Sequence, residues 1–161
     1  MSCVDAVPPT QSPPFGKALP GGIALGTSEN VAAFHQFIEE GPNRGNLDAI
    51  GDLVSSDCRY FMPGGSEPVE GPEGVKQVVT AFRAAFPDLH VTVDEVIAEG
   101  DVVMARVTPT GTHQGELMGV PSTGRTVSWV VSHCARFSDG RMIEDRIVFD
   151  RADLMEQLGV T

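Results

Sequence analysis

The sequence predicts an α+β fold, a cone-shaped α+β barrel in which a curved antiparallel sheet is covered by three N-terminal helices around an internal pocket. Three observations carry this reading. Apolar residues recur at helical spacing up to Pro87 and alternate with period two afterwards, so helices precede long strands. The connections Glu99-Gly100-Asp101 and Ser138-Asp139-Gly140 are short, glycine-containing turns of the kind that favour antiparallel hairpins. A strongly twisted sheet with helices on one side encloses a cavity, which is where chemistry is to be sought.

Residues 1 to 27 hold five of the twelve prolines, four glycines and two charges (Asp5, Lys17), a composition that buries too little to offset its ordering entropy. They read as a flexible tail, and residues 28–161 as the domain. Ser28 is placed to cap a first helix, with Glu29 in its positive first turn and Val31, Phe34, Phe37 and Ile38 on one face before Gly41-Pro42. A second short helix reads from Asn46 as cap through Leu47, Ile50, Leu53 and Val54, and stops at Ser55-Ser56. Cys58 to Met62 is a short strand, and Gly71-Pro72 opens a third helix whose stripe Val75, Val78, Val79, Phe82 and Phe86 ends at Pro87. Four long strands follow, about 89 to 98, 101 to 113, 125 to 138 and 141 to 149, with a longer loop from Gly115 to Gly124. A closing helix runs from Arg151 to Leu158 and stops at Gly159.

Charge and composition exclude several function classes. With 41% hydrophobic and 20% charged residues the chain can form a core, so a wholly disordered or fibrous protein is ruled out. A net charge of -11 repels phosphate backbones and anionic lipid, so neither nucleic acid nor membrane is an expected partner. No apolar run approaches the roughly 20 residues that span a bilayer. Cys3, Cys58 and Cys134 form no CxxC pair, and no signal segment opens the chain, which together predict a reduced, cytoplasmic setting. His35, His90, His113 and His133 show no HxH, HxxxH or HExxH spacing, and neither a phosphate-binding loop nor a GxSxG elbow is present. No metal and no cofactor is expected.

Three stretches resemble a known family: Gly111 through Arg125 (GTHQGELMGVPSTGR), Phe137 through Glu144 (FSDGRMIE) and Leu154 through Gly159 (LMEQLG). They are similar to the signatures of the SnoaL-like polyketide cyclases, also called ester cyclases, of the nuclear transport factor two-like superfamily. The resemblance runs from about residue 28 to 160 and includes Phe86-Pro87-Asp88. It implies a cofactor-free intramolecular aldol closure and a homodimer. It also implies an aspartate on the last long strand as acid and base, assisted by a histidine on the strand before it. His133 matches that histidine; the aspartate position is occupied by Ile147.

Strand alternation places Val127, Trp129, Val131, His133, Ala135 and Phe137 on one face of the third long strand. On the fourth it puts Ile143, Asp145, Ile147 and Phe149 together, with Asp145 about 7 Å from Ile147. Asp145 is therefore the substitute for the missing aspartate. A carboxylate on an inward face is desolvated, the setting for proton transfer, unless it pairs with Arg141, Arg146 or Arg59 or Glu144 takes its place inside. The candidate catalytic residues are Asp145 and His133. Candidate substrate-binding residues are His113 and Met118 around the loop at the cone mouth, Tyr60 on the short strand, and the apolar walls Trp129, Ile147 and Phe149. For His113 the competing role is to stabilise the Gly115 to Gly124 loop.

These residues predict a cofactor-independent intramolecular cyclase or isomerase acting on a hydrophobic polyketide-like or terpenoid-like intermediate by general acid/base catalysis. An epoxide-opening hydrolase or ether-forming cyclase is the alternative, and it requires Asp145 to converge with a second carboxylate, Asp57 or Asp150. A non-catalytic binding or dimerisation module is the third reading. Val130 and Cys134 on the opposite strand face suit burial in a homodimer.

Overall fold

The computed structural model describes residues 27–160; the tail read over residues 1 to 27 lies outside them except for Thr27, which opens the first helix. Helix α1 (Thr27–Ile38) buries Phe34, Phe37 and Ile38 on one face, and buried Asn30 ties it to the sheet by donating to the Gly100 carbonyl at 3.2 Å. The helix does not stop at Gly41-Pro42. Pro42 has no N–H for the carbonyl four residues back, and the chain widens into a π-helical turn, Glu39–Asn43, closed by Arg44 N–H to the Glu39 carbonyl at 3.0 Å. Arg83 clamps this turn through the Pro42 carbonyl at 2.7 Å and that of Asn43 at 2.9 Å. The Asn43 side chain pairs with both backbone groups of Val91, at 2.7 and 3.1 Å, as a strand neighbour would.

Helix α2 (Leu47–Leu53) is capped by Asn46, whose oxygen accepts from Ala49 N–H at 3.4 Å. The chain extends directly into β1 (Val54–Phe61), followed by the two-residue β2 (Val69–Glu70), which the sequence does not reveal. Helix α3 (Gly71–Ala85) starts where Gly71 adopts a φ of 64, and a Cβ there would stand 2.9 Å from the Ser56 carbonyl oxygen, so glycine is required. The long strands are β3 (His90–Glu99), β4 (Val102–Thr112), β6 (Val131–Ser138) and β7 (Arg141–Phe149), with a short β5 (Thr126–Ser128). Helix α4 (Arg151–Leu158) is capped by Asp150 and ended by Gly159 at a φ of 80.

The sheet runs β2-β1-β7-β6-β4-β3, with β5 on β4, and does not close on itself. Its pairs are antiparallel except β1 with β7, so the sheet is mixed where uniform antiparallel pairing is expected from the hairpin turns. The parallel pair joins the strand that follows α2 to the last of the described strands, and no turn links the two. With α1 packed on β3 and β4, α3 on β1, and α2 between them, the helices cover one face of a curved sheet, and the fold is the α+β cone.

Two local departures have physical causes. The stretch 125 to 138 is not one strand. Pro109 accepts from Trp129 N–H at 3.2 Å and has no proton to return, so the ladder breaks at Trp129-Val130 between β5 and β6. On β7, Arg136 faces Glu144 and Phe137 faces Met142, leaving Ile143 as the extra residue of a bulge. Met142, fully buried, takes the inward place that simple alternation assigns to Ile143. The bulge lies before Asp145, so the parity of Asp145, Ile147 and Phe149 is unaffected.

Candidate active site

The concave face encloses a cavity holding about 600 Å3 of space, its mouth included. Exposure increases along β1 and β7 and the residue after β1: Cys58 and Asp145 are fully buried, Tyr60 and Ile147 slightly exposed, Met62 and Phe149 half-buried. The cavity thus opens at the Met62 and Phe149 end. Tyr60, Trp129, His133, Ile147 and Phe149 line it. Phe82 from α3 stacks on the Trp129 ring, centroids 6.4 Å apart, so part of the helix stripe read as core is cavity wall.

Sequence reasoning also missed Phe37, Pro42 and Pro109 as lining residues. The π-turn that presents Pro42 leaves no apolar periodicity to read, whereas Pro109 could have been found from the inward alternation of β4.

At the base of the cavity Asp145 Oδ2 lies 2.7 Å from His133 Nδ1. The two residues are not direct cross-strand partners, since Asp145 stands opposite Ala135 and His133 opposite Ile147. The small side chain of Ala135 leaves room for the carboxylate to lean diagonally onto the ring. Phe34 presses against His133 at a 70° interplanar angle, centroids 5.4 Å apart, and fixes the ring plane. With Nδ1 donating to the carboxylate, Nε2 has no protein partner among the described residues, and His133 itself lines the cavity. Asp145 does not line it: the residue is fully buried, and its Oδ1 has no hydrogen-bond partner. The geometry therefore assigns the cavity-facing position to the imidazole and the supporting position to the carboxylate, the reverse of a site in which Asp145 meets substrate directly.

Two of the competing partners of Asp145 are engaged by Glu144 instead. Arg146 and Arg59 both bond Glu144, the former at 3.1 Å, on the outer side of β7. Tyr60, paired with Asp145 across β1 and β7, has its hydroxyl pKa pushed well above the ordinary value by burial and by the nearby carboxylate, so it remains a proton donor. Cys58 is pushed up to about 12 by burial, with the Asp145 charge adding to it, and is a core thiol with no nucleophilic role.

His113 and Met118 are not brought to the cavity. His113 is fully buried beside Phe86; its Nδ1 accepts from Thr123 N–H at 3.2 Å and lies 3.1 Å from the Thr123 hydroxyl, so it holds the 115–124 loop. Burial lowers its pKa. Met118 sits at the tip of the Leu117-to-Val120 turn with a φ of 51 and points to solvent. The carboxylates wanted by an epoxide-opening site are also apart: Asp57 is exposed and bonded to Ser55, and Asp150 caps α4 through Ala152 and Asp153 N–H at 2.9 and 3.0 Å. Among the described residues no cluster of His, Cys, Asp or Glu is arranged to hold a metal ion.

An apolar cone with a buried imidazole–carboxylate pair at its base defines a small-molecule enzyme of the cone-shaped α+β class. The chain belongs to the SnoaL-like polyketide cyclase family, which matches residues 32–158. It is 32% identical over 124 residues to the aklanonic acid methyl ester cyclase DnrD of Streptomyces peucetius, covering 74% of this chain and 84% of that protein. It is 31% identical over 121 residues to the nogalonic acid methyl ester cyclase of Streptomyces nogalater, covering 73% of this chain and 88% of that protein. A crystal structure from Jannaschia sp. CCS1, described as a SnoaL-like polyketide cyclase, superposes with a TM-score of 0.78 at 25% identity, over 89% of this chain and 99% of that one.

Proposed function

We propose that the chain catalyses a cofactor-independent intramolecular ring closure of a hydrophobic polyketide-like intermediate, with His133 as the general acid/base. The observation that carries this is the 2.7 Å contact of Asp145 with His133 Nδ1, which leaves Nε2 facing an otherwise apolar cavity. His133 Nε2 takes a proton from a carbon acidified by neighbouring carbonyls. The carbanion attacks an internal carbonyl carbon, a C–C bond forms, and the carbonyl π pair moves onto oxygen, which receives the proton back from Nε2. Tyr60 donates a hydrogen bond to that oxygen, and Asp145 stabilises the transient imidazolium. Trp129, Phe82 and Phe149 hold the chain folded for closure, converting an entropic problem into binding. The product is an isomer of the substrate. The names of the relatives, both methyl ester cyclases, support this reading over epoxide opening, and so does a set of lining residues that includes no carboxylate, with Asp145 the one carboxylate bonded to His133 behind it.

The test is mass spectrometry of linear β-keto esters and epoxy-alcohols incubated with the protein in oxygen-18 water. A product of unchanged mass is expected; oxygen-18 in the product overturns ring closure in favour of hydrolysis.

The same reading includes a homodimer formed through the outer face of the sheet. Ile97 (73% exposed) lies opposite Met104 (47%), which lies opposite Cys134; on β7 the row meets Arg146, and Val148 (67%) lies one pair along, opposite Ser132, on the same outer face. Burial of such a row on a second copy is favourable.

A further inference from the structure

The cavity wall is unequal in the hydrogen bonds it can give and receive. Of the side chains that line it among the described residues, three carry nitrogen or oxygen: Tyr60, Trp129 and His133. The phenol and the indole each offer a proton, and of the two only the phenol oxygen can also accept one. His133 Nδ1 donates to Asp145, so Nε2 is the second acceptor on the wall. Three main-chain carbonyls of lining residues are taken as well: that of Pro42 by Arg83, that of Val91 by the Asn43 amide, and that of Pro109 by the backbone N–H of Trp129. The proposed reaction commits both side-chain acceptors, Nε2 to the acidified carbon and Tyr60 to the carbonyl oxygen. A hydroxyl elsewhere on the ligand therefore meets hydrocarbon.

Resting on the ring-closure reading of the cavity, we propose that it selects substrates that bring hydrogen-bond acceptors and no free donor. These are neutral esters and ketones in which any hydroxyl is bonded internally to a neighbouring carbonyl, as in an ortho-acyl phenol or an enolised 1,3-dicarbonyl. Ester and ketone oxygens only accept, and the protons of the phenol and the indole are the ones the wall supplies. A free hydroxyl exchanges its water for hydrocarbon and leaves its proton without a partner, which costs affinity. A hydroxyl closed into a six-membered internal hydrogen bond carries its acceptor into the cavity and loses little. The discrimination falls between isomers of equal apolar area, which hydrophobic burial alone does not separate.

Trp129, the single tryptophan of the chain, lines the cavity and reports occupancy by its fluorescence. The probes are methyl 1-hydroxy-2-naphthoate, whose hydroxyl bonds its own ester carbonyl, and its isomer methyl 6-hydroxy-2-naphthoate, whose hydroxyl is free. The first is expected to bind about ten-fold more tightly, the cost of one unpaired donor. Methyl 6-methoxy-2-naphthoate keeps the outline of the second probe without its donor, and is expected to bind within about three-fold of the first. Equal affinity for the two hydroxy isomers overturns the inference and leaves ring closure standing. A methoxy ester as weak as the free hydroxyl also overturns it, since shape then decides. Quenching by none of the three overturns the cavity reading and this inference together. Undiminished turnover in His133→Gln overturns ring closure whichever isomer binds better.

Discussion

Asp145 Oδ2 lies 2.7 Å from His133 Nδ1, and Asp145 is fully buried while His133 reaches the cavity. The carboxylate therefore acts through the imidazole. Asp145→Asn keeps the shape and removes the charge, so kcat is expected to fall by about 10²-fold or more with KM changed less than about three-fold. Steady-state kinetics on any substrate that turns over decides it. A change confined to KM would mean that Asp145 shapes the pocket and nothing more.

Ile147, at the position the family resemblance gives to an aspartate, stands directly opposite His133 across the β6 and β7 pair. A carboxylate there is placed on the cavity side of the same ring. Asp145→Leu with Ile147→Asp is expected to recover at least about ten-fold of the kcat lost in Asp145→Leu alone, because the buried charge has changed sides and has not been lost. Ile147→Asp on its own puts two carboxylates around one imidazole and is expected to lower the melting temperature. Comparison of the single and double variants reads both effects.

His113 is buried, and burial lowers its pKa. Below the ordinary imidazole value of about 6.5 the unfolded chain takes up a proton at this residue that the folded chain refuses, so stability falls as the pH falls. Above that value both states are neutral and the residue contributes no pH dependence. His113→Gln is expected to flatten the dependence of urea midpoint on pH below about 6.5, measured against the unsubstituted protein at each pH. An unchanged slope would assign the acid sensitivity to other groups.

The outer sheet face predicts the behaviour of the protein in solution. Met104→Glu with Val148→Glu places charges on two exposed apolar residues of this face without touching the cavity, and sedimentation velocity is expected to move from a dimer to a monomer. A protein that sediments as a monomer before substitution removes the dimer from the account.

Much of this architecture was legible in the sequence because it rests on local rules. The stripe of α3, the Asn46 cap, the Gly159 stop and the Asp139-Gly140 turn each follow from spacing or from backbone chemistry, and the turn shows the φ values of 50 and 74 that such hairpins need. The inward row through His133 and Asp145 followed from alternation alone. What alternation does not carry is the relative depth of residues that share a face. It ranks Asp145 with Ile147, and only the curvature of the sheet and the small Ala135 show that Asp145 sits behind His133. His113 was misplaced for a similar reason, since the loop that buries it folds back on the end of α3, where Gln114 and Gly115 N–H donate to the Ala85 carbonyl. The parallel pairing of β1 with β7 depends on residues about 85 positions apart and has no local signature.

The most direct test of the account is the turnover of His133→Gln beside that of the unsubstituted protein, on a substrate that the latter converts to an isomer, with binding followed in parallel through Trp129. The account predicts that binding persists within a few-fold while kcat falls by about 10²- to 10⁴-fold, the usual contribution of a general acid/base. Turnover at an undiminished rate in His133→Gln would contradict it.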